Sequence, residues 1–173
     1  CTVFASGFVW GESLMAQTYD AIASYTFGSA ASSYTFSSLP ASWTDLILVV
    51  TGTASTAIDL RCTFNNDTGT NYSRTYLYGN GSSAGSGRES NMSYIVLGAL
   101  NSTNQSVNII QIQNYSNSTT YKSVLLRTNT DGATATTAGL WRSTNAINRI
   151  DFGVSSGTIS SGTTITLYGV KSA

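Results

Sequence analysis

Ala57-Ile58-Asp59-Leu60-Arg61-Cys62-Thr63-Phe64 decides the fold class, because Ile58, Leu60, Cys62 and Phe64 share one parity while Asp59, Arg61 and Thr63 share the other. Side chains of a strand alternate between faces, so this stretch reads as a β-strand buried on one side. Leu46-Ile47-Leu48-Val49-Val50 and Val124-Leu125-Leu126 are apolar on both parities, which predicts two central strands covered on both faces, by a second sheet and by loops or a neighbouring subunit.

Outward from these anchors, short apolar or aromatic segments recur about every ten residues between clusters of Gly, Asn, Asp and Ser. The predicted strands are 23–27, 33–36, 45–52, 57–64, 72–78, 92–97, 107–114, 122–128, 135–141, 147–154 and 163–170. In the last two, Ile150, Phe152 and Val154 oppose Arg149 and Asp151, and Ile165 and Leu167 oppose Thr164, Thr166 and Tyr168. The near repeat of Ser24-Tyr25-Thr26-Phe27 in Ser33-Tyr34-Thr35-Phe36 reads as a hairpin. Helical spacing of Leu, Ala, Glu and Lys is missing from the sequence, so helix is expected to be nearly absent. The predicted architecture is all-β, an antiparallel β-sandwich of jelly-roll type with about eight to ten strands. A single domain is expected over 23–173, preceded by an N-terminal arm over 1–22. Within the arm, Met15 reads as an initiator, which makes residues 1–14 a candidate upstream leader. A lipid-modified Cys1 is the competing reading.

Composition narrows function. Charged residues are 9% of the 173, and eight basic side chains balance eight acidic ones. Such a chain has no field to draw nucleic acid or an anionic membrane. Ser and Thr make up nearly a third of the sequence, so hydroxyls keep the surface wet. With 41% hydrophobic residues, ten Tyr and three Trp, the chain has enough apolar material to fold. Two cysteines are too few for a disulfide framework, and Cys62 is expected to be a buried thiol.

Catalytic chemistry finds little purchase. The chain contains no His, which removes the commonest general base and most transition-metal sites. Lys122 and Lys171 are the only lysines, and neither stands in a Ser-x-x-Lys pattern. Asp67-Thr68-Gly69 carries the letters of an aspartic-protease triplet, but Asn65, Asn66, Thr70 and Asn71 flank it as they would a surface turn. The acids are dispersed, which leaves a glycosidase carboxylate pair as a remote alternative. No catalytic residue, metal site or cofactor is assigned.

Binding surfaces are better represented. Tyr72, Arg74, Tyr76 and Tyr78 fall on one face of a strand, where an Arg between tyrosines suits a subunit interface or a sugar-binding surface. Trp141-Arg142 offers a second anchor of this kind, and Trp10, with Phe4 and Phe8, a third in the arm.

Several segments together carry a resemblance. These are Ser37-Ser38-Leu39-Pro40, Thr44-Asp45-Leu46-Ile47-Leu48-Val49, Phe64-Asn65-Asn66-Asp67-Thr68-Gly69-Thr70-Asn71-Tyr72-Ser73-Arg74-Thr75-Tyr76-Leu77, Gly79-Asn80-Gly81-Ser82-Ser83-Ala84, Gly139-Leu140-Trp141-Arg142-Ser143-Thr144 and Thr166-Leu167-Tyr168-Gly169-Val170-Lys171. From Met15 onward the chain resembles a family of small virion structural proteins of tailed phages. The resemblance implies a non-enzymatic component at the virion surface, first of all a capsid decoration (cement) protein. A tail-fibre or appendage module and a carbohydrate-binding receptor module are the alternatives. It further implies a homotrimer, with the major capsid protein or other virion proteins, or a host surface glycan, as partners.

Overall fold

The alternation in 58–64 is reproduced as burial: β4 (Ile58–Phe64) places Ile58, Leu60, Cys62 and Phe64 in the core and leaves Asp59 exposed. The computed structural model describes residues 18–130 and 132–171, and among these there are twelve strands and no helix. The other strands are β1 (Tyr19–Thr26), β2 (Ser33–Phe36), β3 (Asp45–Gly52), β5 (Tyr72–Gly79), β6 (Ala84–Met92), β7 (Ile95–Leu100), β8 (Ser106–Gln113), β9 (Lys122–Thr130), β10 (Ala133–Trp141), β11 (Ile150–Val154) and β12 (Thr164–Val170).

They form two antiparallel sheets. One has eight strands in the order β1-β12-β3-β8-β9-β10-β5-β6, the other four in the order β2-β11-β4-β7. The core lies between them. Leu48, Ile110, Leu126 and Leu167 of the large sheet meet Leu60, Phe64, Leu97 and Phe152 of the small one, all essentially buried. Each such side chain removed from water contributes about 1.5–3 kcal/mol before conformational entropy is subtracted. Cys62 is a free buried thiol, and burial pushes its pKa well up.

The sheets differ in width, and that difference creates the site. Edge strand β7 crosses the inner face of the large sheet over β8, β9, β10 and β5. Past β7, the inner face of the β5–β6 hairpin has no opposing sheet.

Three expectations are corrected, and a fourth is met on one face within the chain. Residues 24–27 and 33–36 do not form a hairpin: β1 pairs with β12 in the large sheet and β2 with β11 in the small one. Their likeness is instead a packing device, since Tyr25 and Tyr34 stack across the sandwich at 3.9 Å between ring centroids. Within the single chain, the second sheet covers one face of residues 46–50 and 124–126 and the other face is part-exposed. Leu46, Leu48, Val50, Val124 and Leu126 are buried, whereas Ile47 and Val49 are half-buried and Leu125 is 42% exposed. Strand β1 begins at Tyr19, so the sheet takes up residues assigned to the arm. Finally, β6 is absent from the predicted strands, because Ala84-Gly85-Ser86-Gly87-Arg88-Glu89-Ser90 carries neither apolar alternation nor β-branched residues. It is an edge strand held by β5.

Candidate functional site

The row Tyr72, Arg74, Tyr76, Tyr78 does share one face of β5, but that face is the inner one, and along it the row passes from core to open cleft. Tyr72 sits at the buried end. Its ring stacks on Trp141 (6.3 Å, 13° between planes), and both residues are at most 1% exposed. The Tyr72 hydroxyl accepts from the Phe64 N–H at 2.9 Å and donates to the Asp67 carbonyl at 3.0 Å. Trp141 Nε1 donates to Asp67 Oδ2 at 2.7 Å. Neither ring is therefore a surface anchor, which corrects the expectation for Tyr72 and Trp141. Both carry core packing and fix the 65–71 loop to the large sheet.

Asp67 is the pin of that loop. Its carboxylate also accepts from the Gly69 N–H at 2.9 Å and from the Asn71 amide, closing an Asx-turn. Burial pushes its pKa up, but the hydrogen bonds from Trp141, Asn71 and Gly69 outweigh this and hold it below the ordinary carboxyl value. Arg142 is occupied too, donating from Nη2 to the Thr70 carbonyl (2.7 Å) and Asn91 Oδ1 (3.2 Å). Trp10 lies outside the described residues.

The outer half of the row is different. Arg74 grips both oxygens of Glu89 through Nε (2.9 Å) and Nη2 (3.1 Å), while its guanidinium lies 4.7 Å from the Tyr76 ring centroid. Tyr76 and Tyr78 follow at 6.5 Å from each other. Their tips reach across to β6, above the glycines registered opposite them, Gly87 and Gly85. A Cβ on Gly87 would come within 2.4 Å of the Tyr76 ring and one on Gly85 within 2.6 Å of the Tyr78 hydroxyl. The glycines that hid β6 from sequence reading are thus what lets the tyrosines lean over it. Glu89, on the same strand, is the partner of Arg74.

Because the tyrosines lean toward β6, a cleft of about 270 Å³ opens beside them. Ala133, Ala135 and Thr137 of β10 form its floor, Arg74, Tyr76 and Tyr78 one wall, and Val96, Gly98 and Ala99 of β7 with Asp59 of β4 the other. Asn108 steadies the β7 wall. Buried on β8, it accepts from the Ala99 N–H (3.2 Å) and the Thr128 hydroxyl (2.5 Å) and donates to the Ala99 carbonyl (3.0 Å). Gly98, at φ +97°, lets the strand bend onto this amide.

No family model, curated protein or solved structure matches the chain. Its site must be judged on its own chemistry. Arg74 is neutralised by Glu89, whereas the Asp59 side chain has no hydrogen-bond or ion-pair partner among the described residues. Among those residues no group of three or more His, Cys, Asp and Glu side chains converges as a metal would require. The arrangement provides aromatic and aliphatic walls, one free carboxylate and two phenols, which is equipment for binding.

Proposed function

We propose that this protein is a non-enzymatic virion structural component, a capsid decoration protein that docks through the outer face of its eight-stranded sheet. The observation that carries the proposal is that face. Ile47 and Val49 of β3, Val107 and Ile109 of β8, Leu125 of β9 and Leu77 of β5 all point outward, and Val107, Leu125 and Leu77 are 36%, 42% and 56% exposed. At about 33 Å² of sheet area per outward residue, these six apolar side chains cover roughly 200 Å². On β3, β8 and β9 they are cross-strand neighbours, and an apolar cluster set in a part-exposed sheet face supports docking there. Gln111, Arg127 and Thr136 share the face with them, and Asp45 stands at its β3 end, giving the apolar cluster a polar surround.

Strand order supports a jelly roll as the architecture. Without the hairpins β5–β6 and β9–β10, the twelve strands reduce to eight, in sheets β1-β12-β3-β8 and β2-β11-β4-β7. Renumbered in chain order these read 1-8-3-6 and 2-7-4-5, the arrangement of two interlocked Greek keys that capsid proteins and lectins share. That likeness is one of fold and supports function only together with the outer face and the resemblance to phage virion proteins. The resemblance further supports a homotrimer seated on the major capsid protein, at the particle surface.

Cryo-electron microscopy of purified particles tests the proposal through location and copy number. Density over the capsid lattice in many copies is expected, with Leu125→Asp failing to add to particles that lack the native protein. A handful of copies at the tail would reassign the protein to a fibre or appendage, and absence from particles would overturn the virion assignment.

A further inference from the structure

We infer that the cleft between β7 and the β5–β6 hairpin binds a neutral saccharide. Its shape is set by choices of small residue. Ala133 and Ala135 stand where longer side chains would fill the space, and Gly85 and Gly87 draw the tyrosines aside. Tyr78 remains 46% exposed although it borders the cleft. The phenol oxygens of Tyr76 and Tyr78, like the Asp59 carboxylate, have no hydrogen-bond partner among the described residues.

A pyranose has apolar C–H surface and a rim of hydroxyls. The tyrosine rings and alanine floor match the first, and the phenols and carboxylate match the second. Charge selects the kind of sugar. Arg74 is already bound by both Glu89 oxygens, so the uncompensated charge in the lining is the negative one on Asp59. That charge accepts hydrogen bonds from hydroxyls and repels uronates, sialates and phosphates. A volume of about 270 Å³ lies just below the usual range of small-molecule sites, about 300–1,000 Å³, and suits a terminal sugar whose glycan continues into solvent. This inference is independent of where on a particle the protein sits, so its failure would leave the copy-number result untouched.

Saturation-transfer difference NMR on the full chain provides the test, using the methyl glycosides of glucose, galactose, mannose and N-acetylglucosamine, with methyl glucuronide as the charged comparator. Transfer from tyrosine ring protons to at least one neutral glycoside is expected, with glucuronide weaker than glucose. Tyr78→Ala is expected to weaken binding about tenfold or more, equivalent to about 1.4 kcal/mol. Asp59→Ala, at an exposed position outside the core, is expected to weaken it several-fold with an unchanged melting temperature, and Leu125→Ser to leave it unchanged. Absence of transfer to every neutral glycoside, stronger binding of the glucuronide than of glucose, or binding that survives both Tyr78→Ala and Asp59→Ala would overturn the inference.

Discussion

Replacing Tyr72 by Phe removes one oxygen atom and tests how the 65–71 loop is tied to the core. The Asn65 N–H bonds the Arg149 carbonyl beside β11, so by strand alternation the Phe64 N–H faces the other way, toward β7. The β4–β7 ladder has ended there, its last pair being Cys62 with Ile95. The Tyr72 hydroxyl takes the place of the missing strand at 2.9 Å. In Tyr72→Phe the Phe64 N–H is left buried and unpaired, which costs about 1–3 kcal/mol. The Asp67 carbonyl also loses its donor, but it lies on a part-exposed turn where water can replace it. The expected destabilisation is about 2 kcal/mol, or about 4–8 °C in melting temperature for a domain of this size. Urea unfolding followed by tryptophan fluorescence, to which Trp141 stacked on Tyr72 contributes, should show a lower midpoint with an unchanged slope. Tyr76→Phe is the control, since its hydroxyl has no partner among the described residues; its change should stay within about 0.5 kcal/mol. A loss under about 0.5 kcal/mol in Tyr72→Phe would refute this account of the Phe64 N–H.

Two further perturbations probe the frame of the cleft and the loop. Gly98→Ala combines a positive φ of +97° with a Cβ only 2.1 Å from Asn108 Oδ1, so it should cost about 2–4 kcal/mol by thermal melting; a cost under about 1 kcal/mol would mean the Asn108 clamp is not tight. Stability should also fall in acid. The hydrogen bonds of Arg149 hold Asp151 below its ordinary pKa, and those from Trp141, Asn71 and Gly69 do the same for Asp67 against the opposing effect of burial. The unfolded carboxyls therefore take up protons first, near pH 3.9. The stability these groups supply is complete above about pH 5 and is lost as pH falls through their lower folded values. Urea midpoints measured downward from pH 5 should decline, and less steeply in Asp67→Asn; a flat profile would contradict the assignment.

What the sequence determined by itself was the strand content and most of the core faces, because period-two alternation is a local consequence of the pleat. Ile58 to Phe64, Ile150 to Phe152 and Ile165 to Leu167 show their buried sides without reference to any neighbour. The Asp67-Thr68-Gly69 turn was legible for the same reason, since an Asx-turn closes within a few residues.

Tertiary structure decided which strands share a sheet and which faces stay open. Tyr25 and Tyr34 have the same local sequence yet belong to opposite sheets, because pairing depends on partners more than a hundred residues away in β11 and β12. The apolar outer face of β3 and β9 was legible as a face needing cover, but hydrophobicity does not say whether a loop of the same chain or a neighbouring subunit supplies it, and the chain itself leaves that face part-exposed. The cleft was least legible. Its wall of Arg74, Tyr76 and Tyr78 was visible as a face of one strand, but its opening depends on the unequal width of the two sheets and on the glycines of β6. A glycine carries no sequence signal of a strand until a cross-strand tyrosine is found lying over it. Register therefore turned an alternating Tyr/Arg pattern into two different things: a buried anchor at Tyr72 and an open binding wall at Tyr76 and Tyr78.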